Sequence, residues 1–406
     1  MGRQYRSECP DRKTSPKLKS MFFVVLISAM LVGDVLWWQI ADRRIRAASA
    51  QTGWRIVLGV FVAFQIAYML FYVVAPREAR RPHAWLPVPV VATAYIWHLV
   101  VMPASLVVAG LLAATRLALR LLGPKPRQAL NPGSPSRREI LVGAATSIPP
   151  LLAIGGAIRA IPQLGELRVR RIDVPLSSLP RELDGITIAH VSDTHIGRFT
   201  RHDMLDRFVA MTNDLRADLV LFTGDLIDLS LSDLPRAIAM MRRLDPRGGL
   251  FICEGNHDLI ESRAGFETAM KHASMPLLLD ETATVVLRGV PIQIIGARWS
   301  RGQSGMPAAL TALQTALDPR AFPILLAHHP HLWDLSAVPL TLSGHTHGGQ
   351  LMLNERLGAG PVIFRYWSGL YRRNGQALVV NNGAGNWFPL RIHAPAEIIR
   401  LTLRRV

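Results

Sequence analysis

Four long apolar runs constrain the fold of this 406-residue chain more than any other feature of its sequence. They cover residues 21–41, 54–75, 84–122 and 140–161. A run of about 20 apolar residues is long enough to cross the hydrocarbon core of a bilayer as a helix. Because such runs are rare in soluble domains, buried core helices are the weaker alternative. Residues 1–165 are therefore predicted to form an all-α transmembrane region of about four helices.

The third run is longer than one span requires, and it contains Pro87, Pro89 and Pro103. It fits either one long helix or a tight hairpin of two. Asp34 and His98 are polar groups inside the runs, and such groups in membranes are costly and often functional. Paired, they would favour a transport or sensing role. Taken singly, each is more simply a polar residue that faces a neighbouring helix.

The basic excess of the chain lies in its apolar half. Residues 1–165 hold 20 Lys and Arg against 6 Asp and Glu, whereas residues 166–406 hold 26 against 23. This distribution is typical of loops beside membrane spans. The second half is nearly balanced and has no basic cluster interleaved with aromatic residues, so we expect no nucleic-acid partner.

The same basic residues predict an orientation. The segment 116–138 has six of them and should stay on the cytoplasmic side, so the last run would carry the second half outward. The N-terminal tail also has six basic residues. It would lie on the cytoplasmic side if the chain has five spans, and on the outer side if it has four. Arg137 and Arg138 before the last run resemble a twin-arginine export signal or form an ordinary basic flank. We expect a multi-pass inner (cell) membrane protein whose second half lies on the outer face.

Residues 166–406 are predicted to alternate between strands and helices. The predicted strands are 186–191, 219–222, 250–253, 292–295, 324–327, 340–342, 378–380 and 398–403, with helices around 204–215 and 235–244. Such alternation indicates an α/β domain with largely parallel pairing near its start. In sheets of this kind, functional groups collect in loops after the carboxyl ends of strands.

Five polar motifs follow predicted strands. They are Ser-Asp-Thr-His at 192–195, Thr-Gly-Asp at 223–225, Gly-Asn-His-Asp at 255–258, Ala-His-His-Pro at 327–330 and Gly-His-Thr-His-Gly-Gly-Gln at 344–350. Their carboxylate and imidazole groups suit manganese, iron or zinc. A single carboxylate, Asp225, can bridge two ions, and two ions about 3.5–4 Å apart can activate a bridging water and clamp both oxygens of an in-line displacement.

Together and in this order, the motifs resemble those of the calcineurin-like metallophosphoesterase superfamily over roughly residues 180–400. The resemblance implies a β-sandwich flanked by helices that hydrolyses phosphomono- or phosphodiesters by attack of a metal-activated hydroxide. One divalent ion would be bound by Asp193, His195, Asp225 and His347, and the other by Asp225, Asn256, His328 and His345. His257 would protonate the leaving oxygen with the support of Asp258. Because every ligand position is kept, we expect an active enzyme with two ions of Mn²⁺, Fe²⁺ or Fe³⁺, or Zn²⁺.

The last part of the chain extends the resemblance. Asn-Gly-Ala-Gly at 382–385 and Pro-Leu-Arg at 389–391 resemble the closing segment of a bacterial, membrane-associated subgroup with N-terminal transmembrane helices. Arg391 would contact a substrate phosphate or form a structural salt bridge, since a guanidinium suits both. His329 would contact substrate or solvent, His331 would face solvent, and Asp228 would cap or support the Asp225 loop.

Two functions follow from these features. The first is a membrane-anchored phosphoesterase, and the tether favours a lipid-linked or envelope substrate, with an acylated sugar nucleotide as one candidate by family analogy. The second is a transport or sensing protein in which the phosphoesterase domain, residues 166–406, is a regulatory module. The sequence leaves the oligomeric state open.

Overall fold

The computed structural model describes residues 16–47, 52–74, 86–122, 135–200, 202–299, 306–315, 317–354 and 356–406. Positions 75, 84 and 85 of the predicted spans lie outside the described residues. The chain divides into two compact units, Met1–Gly156 and Ala157–Val406.

Long helices form the first unit. They are α1 (Pro16–Ala47), α2 (Thr52–Val74), α3 (Val88–Ile96), a π-helical segment (Trp97–Val101), α4 (Met102–Leu122) and α5 (Pro135–Leu164), whose last turns belong to the second unit. The third apolar run is thus one continuous helical stretch and not a hairpin. Pro87 and Pro89 are tolerated because they stand at the start of α3, where a missing N–H costs little, and Pro103 lies just after the π-helical segment.

Four helical stretches among the described residues are long and apolar enough to cross a membrane. By length and composition they are Val24–Ala47, Thr52–Phe71, Val88–Leu121 and Ile140–Leu164. Large apolar side chains on them remain exposed, including Leu119 (67%), Leu121 (74%) and Ile140 (69%). Such an outward apolar surface would be unfavourable in water.

The second unit contains the strands. They are β1 (Leu167–Leu176), β2 (Thr187–Val191), β3 (Leu219–Thr223), β4 (Leu250–Cys253), β5 (Glu281–Leu287), β6 (Val290–Gly296), β7 (Phe322–Leu326), β8 (Leu340–Ser343), β9 (Gly369–Arg373), β10 (Gln376–Val380) and β11 (Ala396–Arg405). The helices are α6 (His202–Asp214), α7 (Leu234–Met241), α8 (Arg263–His272), α9 (Met306–Thr315) and α10 (Ala359–Ile363).

The described strands form two sheets. One has the order β1-β11-β2-β3-β4, and the other has the order β5-β6-β7-β8-β10-β9. The pairs β2–β3 and β3–β4 are parallel in the first sheet, as are β6–β7, β7–β8 and β8–β10 in the second. All eight predicted strands are present, and the predicted parallel pairing near the start of the domain is confirmed.

A continuous apolar core joins the inner faces of the two sheets. It contains Ile188, Leu221 and Cys253 from the first sheet and Ile294 and Leu342 from the second, all fully buried. Helices α6, α7 and α8 cover the outer face of the first sheet. The predicted β-sandwich flanked by helices is therefore confirmed, and Cys253 at the end of β4 is a buried free thiol.

Candidate metal centre

Parallel pairing brings the five motifs to one edge of the sandwich. The first three follow β2, β3 and β4, and the last two follow β7 and β8, so their loops leave both sheets at carboxyl ends. The two sheets approach closely here because Gly344 lies where any side chain would overlap Ser192 and Asp193. Gly224, with a φ of 87°, likewise leaves room for the backbone of Gly255.

The first donor cluster contains the four side chains predicted for one ion. His347 Nε2 lies 2.9 Å from His195 Nε2 and 3.2 Å from Asp193 Oδ1. His195 Nε2 is 3.5 Å from Asp225 Oδ2. Three side chains of this cluster, Asp193, His195 and His347, can present ligand atoms to a single ion.

The second donor cluster contains the four side chains predicted for the other ion. His328 Nε2 lies 3.1 Å from both Asp225 Oδ2 and Asn256 Oδ1. His345 presents Nδ1, which is 2.8 Å from Asn256 Oδ1 and 3.2 Å from His328 Nε2. Asp225 Oδ2 therefore faces an imidazole of each cluster, as a bridging ligand must.

Backbone strain is concentrated in the same residues. Left-handed φ angles occur at Asp193 (50°), His195 (39°), Asp225 (57°), His345 (72°) and His347 (50°). A left-handed conformation away from glycine costs on the order of 1–3 kcal/mol, and such residues gather at functional sites. Five of the seven predicted ligands thus adopt a conformation that their own backbones disfavour.

Backbone contacts fix which nitrogen of His328 is free for an ion. Its Nδ1 lies 2.6 Å from the carbonyl oxygen of Thr223. Because a carbonyl can only accept, Nδ1–H donates and Nε2 keeps its lone pair toward Asp225. A hydrogen bond of this kind orients imidazole ligands in metal sites generally.

The charges of the centre also suit cations. Burial opposes protonation of His195, but the nearby carboxylates of Asp193, at 3.7 Å, and Asp228, at 3.5 Å, outweigh it and raise the pKa of His195 to about 10. Burial also opposes protonation of His328, but the negative charge of Asp225 outweighs it and raises the pKa of His328 to about 9. Burial instead lowers the pKa of His345 to about 3. The buried carboxylates thus demand positive charge beside them, which a divalent ion can supply.

The contacts of Asp258 differ from the prediction that it supports His257. The Asp258 carboxylate accepts from the backbone N–H groups of Gly255, Asp225, Leu226 and Ile227 at 2.8–3.1 Å. It is fully buried and ties the Asp225 loop to the Asn256 loop. The expected contact with His257 is wrong because the four N–H groups take up both carboxylate oxygens.

Asp228 is the partner of His257. The Nδ1 atom of His257 lies 2.8 Å from the carbonyl oxygen of Asp228 and 3.1 Å from its Oδ1. Since both are acceptors, Nδ1–H donates and Nε2 is the nitrogen left to exchange a proton. His257 also groups with His195 and Asp225 as a possible ion ligand set, so its role needs a separate test.

Arg391 does not meet the prediction of a substrate contact. Its guanidinium is fully buried and donates to the carbonyl oxygens of Asn382, Gly383, Gly385 and Ala394 and to Asn386 Oδ1. Its Nη2 also lies 3.1 Å from His347 Nδ1. Arg391 therefore holds the closing segment against the first donor cluster, with backbone carbonyls in place of a salt bridge.

The second uncertain residue, His329, lies among aromatic rings beside the second cluster. Its ring centroid is 4.8 Å from that of His345 and 5.7 Å from that of Trp299, and its Nδ1 accepts from the backbone of His331. His331 is half-buried against these groups, which differs from the predicted solvent-facing position. Burial lowers the pKa of His329 to about 4. The structure does not assign His329 a substrate contact, which remains a prediction.

Two tryptophans near the clusters were not anticipated. Trp299 packs 5.2–5.5 Å from the rings of His328 and His345, and Trp387 lies 5.8 Å from the ring of His257. Both side chains are half-buried. Neither belongs to a polar motif, although Trp387 lies between the two stretches, 382–385 and 389–391, that the sequence singled out.

Comparison with known proteins agrees with this geometry. Residues 186–375 match the family model described as calcineurin-like phosphoesterase. A Danio rerio protein described as a transmembrane protein with metallophosphoesterase domain is 28% identical over 98% of this chain and 93% of its own length. A Bos taurus protein of the same description is 27% identical over 93% and 87%. An uncharacterized metallophosphoesterase of Campylobacter jejuni is 31% identical over 58% and 63%.

The fold and the donor clusters define a metal-dependent phosphoester hydrolase. Residues 186–375 match the calcineurin-like phosphoesterase family model, and relatives that align along nearly the whole chain are described as transmembrane proteins.

Proposed function

We propose that the chain hydrolyses phosphomono- or phosphodiesters at two divalent ions, held by Asp193, His195, Asp225, Asn256, His328, His345 and His347. The observation that carries the proposal is that two donor clusters meet at one carboxylate. Asp225 Oδ2 lies 3.5 Å from His195 Nε2 on one side and 3.1 Å from His328 Nε2 on the other. The mixed nitrogen and oxygen donors favour Mn²⁺, iron or Zn²⁺.

The side chains of the centre then have distinct tasks. Two ions bound there would supply Lewis-acid activation of a phosphoryl oxygen and of water. His257 carries the proton for the leaving oxygen on Nε2, because Nδ1 is fixed by Asp228. Asp258 fixes the two loops that bring Asp225 and Asn256 together. Arg391 holds the ring of His347 in place from behind.

Removal of metal from the full-length protein in detergent tests the proposal. Chelation followed by dialysis is expected to abolish hydrolysis of bis-p-nitrophenyl phosphate, and added Mn²⁺ is expected to restore it with about two ions per chain. Elemental analysis on the same samples gives the ion count. Hydrolysis that persists in metal-free protein would refute metal dependence. Full activity at one ion per chain would refute the proposal that two ions are needed.

A lipid-linked or envelope phosphoester is our proposed substrate class. Three exposed apolar side chains adjoin residues of the centre in sequence: Leu229 follows Asp228, and Val362 and Ile363 precede Phe364, whose ring lies 6.3 Å from that of His345. Leu229, Val362 and Ile363 are 51%, 83% and 65% exposed. Apolar groups left in solvent beside a site for a polar phosphate are suited to the acyl part of a substrate.

The double substitution Val362→Asp and Ile363→Asp separates lipid recognition from chemistry. Burial of an apolar side chain against the acyl part of a substrate stabilises the complex by about 1.5–3 kcal/mol. Loss of this burial at one or both positions should therefore lower turnover of a phospholipid in mixed micelles about tenfold or more. Turnover of bis-p-nitrophenyl phosphate should not change. Val286→Asp, a 63% exposed position on the edge strand β5, is the matched control. Equal effects on both substrates would contradict a lipid-binding rim.

The helical unit is proposed to anchor residues 166–406 on the outer face of the cell membrane. Support comes from the four apolar helical stretches, from relatives described as transmembrane, and from the basic segment 116–138, which favours the cytoplasmic side. A reporter that is active only outside the cytoplasm, fused after Val406, is expected to be active. Activity only of a reporter that works in the cytoplasm would show that residues 166–406 lie on the cytoplasmic side and would refute the proposed orientation.

A further inference from the structure

The helical unit contains a buried acid–base pair that phosphoester hydrolysis does not use. Asp34 of α1 and His98 of the π-helical segment are 64 positions apart in sequence, and Asp34 Oδ2 lies 3.0 Å from His98 Nε2. The side chains are 0% and 1% exposed. The pairing of ionisable groups that sequence analysis required for transport or sensing is therefore present.

The contacts of His98 determine where its protons are. Its Nδ1 lies 2.8 Å from the carbonyl oxygen of Ala94. A carbonyl has no hydrogen to give, so Nδ1 must carry one. Nε2 faces Asp34 Oδ2 across 3.0 Å, where two lone pairs would repel unless a proton lies between them. That proton is present whether the pair is an imidazolium with a carboxylate or an imidazole with a carboxylic acid.

The other contacts of Asp34 leave little room for a metal ion. The remaining oxygen, Oδ1, accepts from Trp97 Nε1 at 2.7 Å, so both oxygens face N–H or ring-nitrogen groups. Trp97 is enclosed edge-on by Trp37 of α1 and Phe61 of α2, each with a ring-centroid distance of 4.9 Å. These neighbours are uncharged, and nothing in the contacts of the pair supplies the oxygen ligands that a hard cation needs.

The location of the pair is unusual for a purely structural contact. His98 lies in a π-helical segment, a local distortion that is frequent at functional sites. Met102 follows this segment and packs where a side chain at Gly33, next to Asp34, would overlap it. Gln65, one turn beyond Phe61 on α2, is fully buried, and neither atom of its amide has a partner in the described part of the chain. Buried polar groups of this kind are retained in apolar helices mainly where they have a task.

We propose that Asp34 and His98 form a proton-binding site within the helical unit, which holds one proton between Asp34 Oδ2 and His98 Nε2. With the proton bound, the pair has no net charge. Release leaves one negative charge among apolar rings, and the two groups then repel each other. Proton occupancy is thereby linked to the contact between α1 and the π-helical segment. The pair shares no residue with the metal centre.

Nuclear magnetic resonance of the full-length protein in nanodiscs, with ¹⁵N-labelled histidine, tests the site at about pH 8, where a free imidazole and a free carboxyl have both lost this proton. His98→Gln assigns the signal. We expect a protonated Nδ1, together with either a protonated Nε2 or, by infrared spectroscopy, a protonated carboxyl that disappears in Asp34→Asn. A bare Nε2 beside an ionised Asp34 carboxylate would overturn the proposal.

A second acidic residue on the same helix provides the matched control. Asp42 of α1 bonds to Arg46 and Arg55 at 2.7 Å. Asp42→Asn should leave the His98 nitrogen signals unchanged, whereas Asp34→Asn should remove the shared proton. If Asp42→Asn shifts the His98 signals as strongly as Asp34→Asn does, the proton does not belong to the pair. The nitrogen spectra of the wild-type protein, assigned with His98→Gln, report the state of His98 Nε2 even if Asp34→Asn or Asp42→Asn fails to fold.

Discussion

Replacement of Asp225 with asparagine is expected to reduce the turnover of bis-p-nitrophenyl phosphate by about a thousandfold or more. The physical reason is that Asp225 Oδ2 is the contact shared by the two donor clusters, at 3.5 Å from His195 and 3.1 Å from His328. Asparagine keeps the shape but removes the negative charge that, on our proposal, would hold two dications together. Several kcal/mol of transition-state stabilisation depend on such ions, and each 1.4 kcal/mol is about tenfold in rate.

The ion count distinguishes this effect from general loss of structure. Elemental analysis of the variant should give fewer than two ions per chain, while its thermal unfolding remains cooperative. Asp206→Asn removes an equivalent charge from a side chain that is 67% exposed and paired with Arg243 on the surface, so it is the matched control. A variant at Asp225 that keeps both ions and nearly full turnover would show that this carboxylate does not bridge them.

The position of the centre could be predicted because it depends on local sequence and on a general property of sheets. Each motif follows a short apolar strand, and carboxyl ends of parallel strands share an edge. Ligand types could be predicted for the same reason, since Asp193, Asp225 and His328 stand at fixed offsets from strand ends.

The supporting contacts could not be predicted because they depend on how loops cross. Asp258 adjoins His257 in sequence, yet its carboxylate turns inward to four backbone N–H groups. Asp228, 29 positions away, reaches the ring instead. The two roles predicted for Arg391 could not be told apart for a similar reason, since its carbonyl partners in the closing segment are backbone groups and leave no pattern in the sequence.

The strands that sequence analysis missed are those without an apolar run. β1 has three arginines in ten residues and lies at the edge of its sheet, where it pairs only with β11 among the described strands. β5 is also an edge strand and alternates between exposed and half-buried positions. Its hairpin to β6 turns at Arg288 and Gly289, both with positive φ, and this pair is the signal that could have revealed it.

Replacement of His257 with asparagine is expected to lower turnover by about a hundredfold to ten-thousandfold while both ions remain bound. Loss of a general acid has this magnitude. The loss should be larger for an alkyl phosphodiester than for bis-p-nitrophenyl phosphate, because an alkoxide needs the proton and p-nitrophenolate hardly does. Measuring kcat for both substrates, with the ion count, therefore separates proton donation from metal binding. A variant that loses an ion would instead make His257 a ligand, as its grouping with His195 and Asp225 allows.

Paired variants of the two neighbouring carboxylates decide which one serves His257. Asp228→Asn keeps the backbone carbonyl that accepts from Nδ1 but removes the Oδ1 charge 3.1 Å away, so it should share the leaving-group dependence of His257→Asn at a smaller loss, about 10–100-fold. Asp258→Asn replaces one of the two oxygens that accept from four N–H groups with an NH2 donor and should loosen the Asp225 and Asn256 loops, which lowers ion binding and so reduces turnover of all substrates alike. The reverse assignment, with leaving-group dependence in Asp258→Asn alone, would restore the sequence-based pairing of His257 with Asp258 and show that the contact to Asp228 has no part in proton transfer.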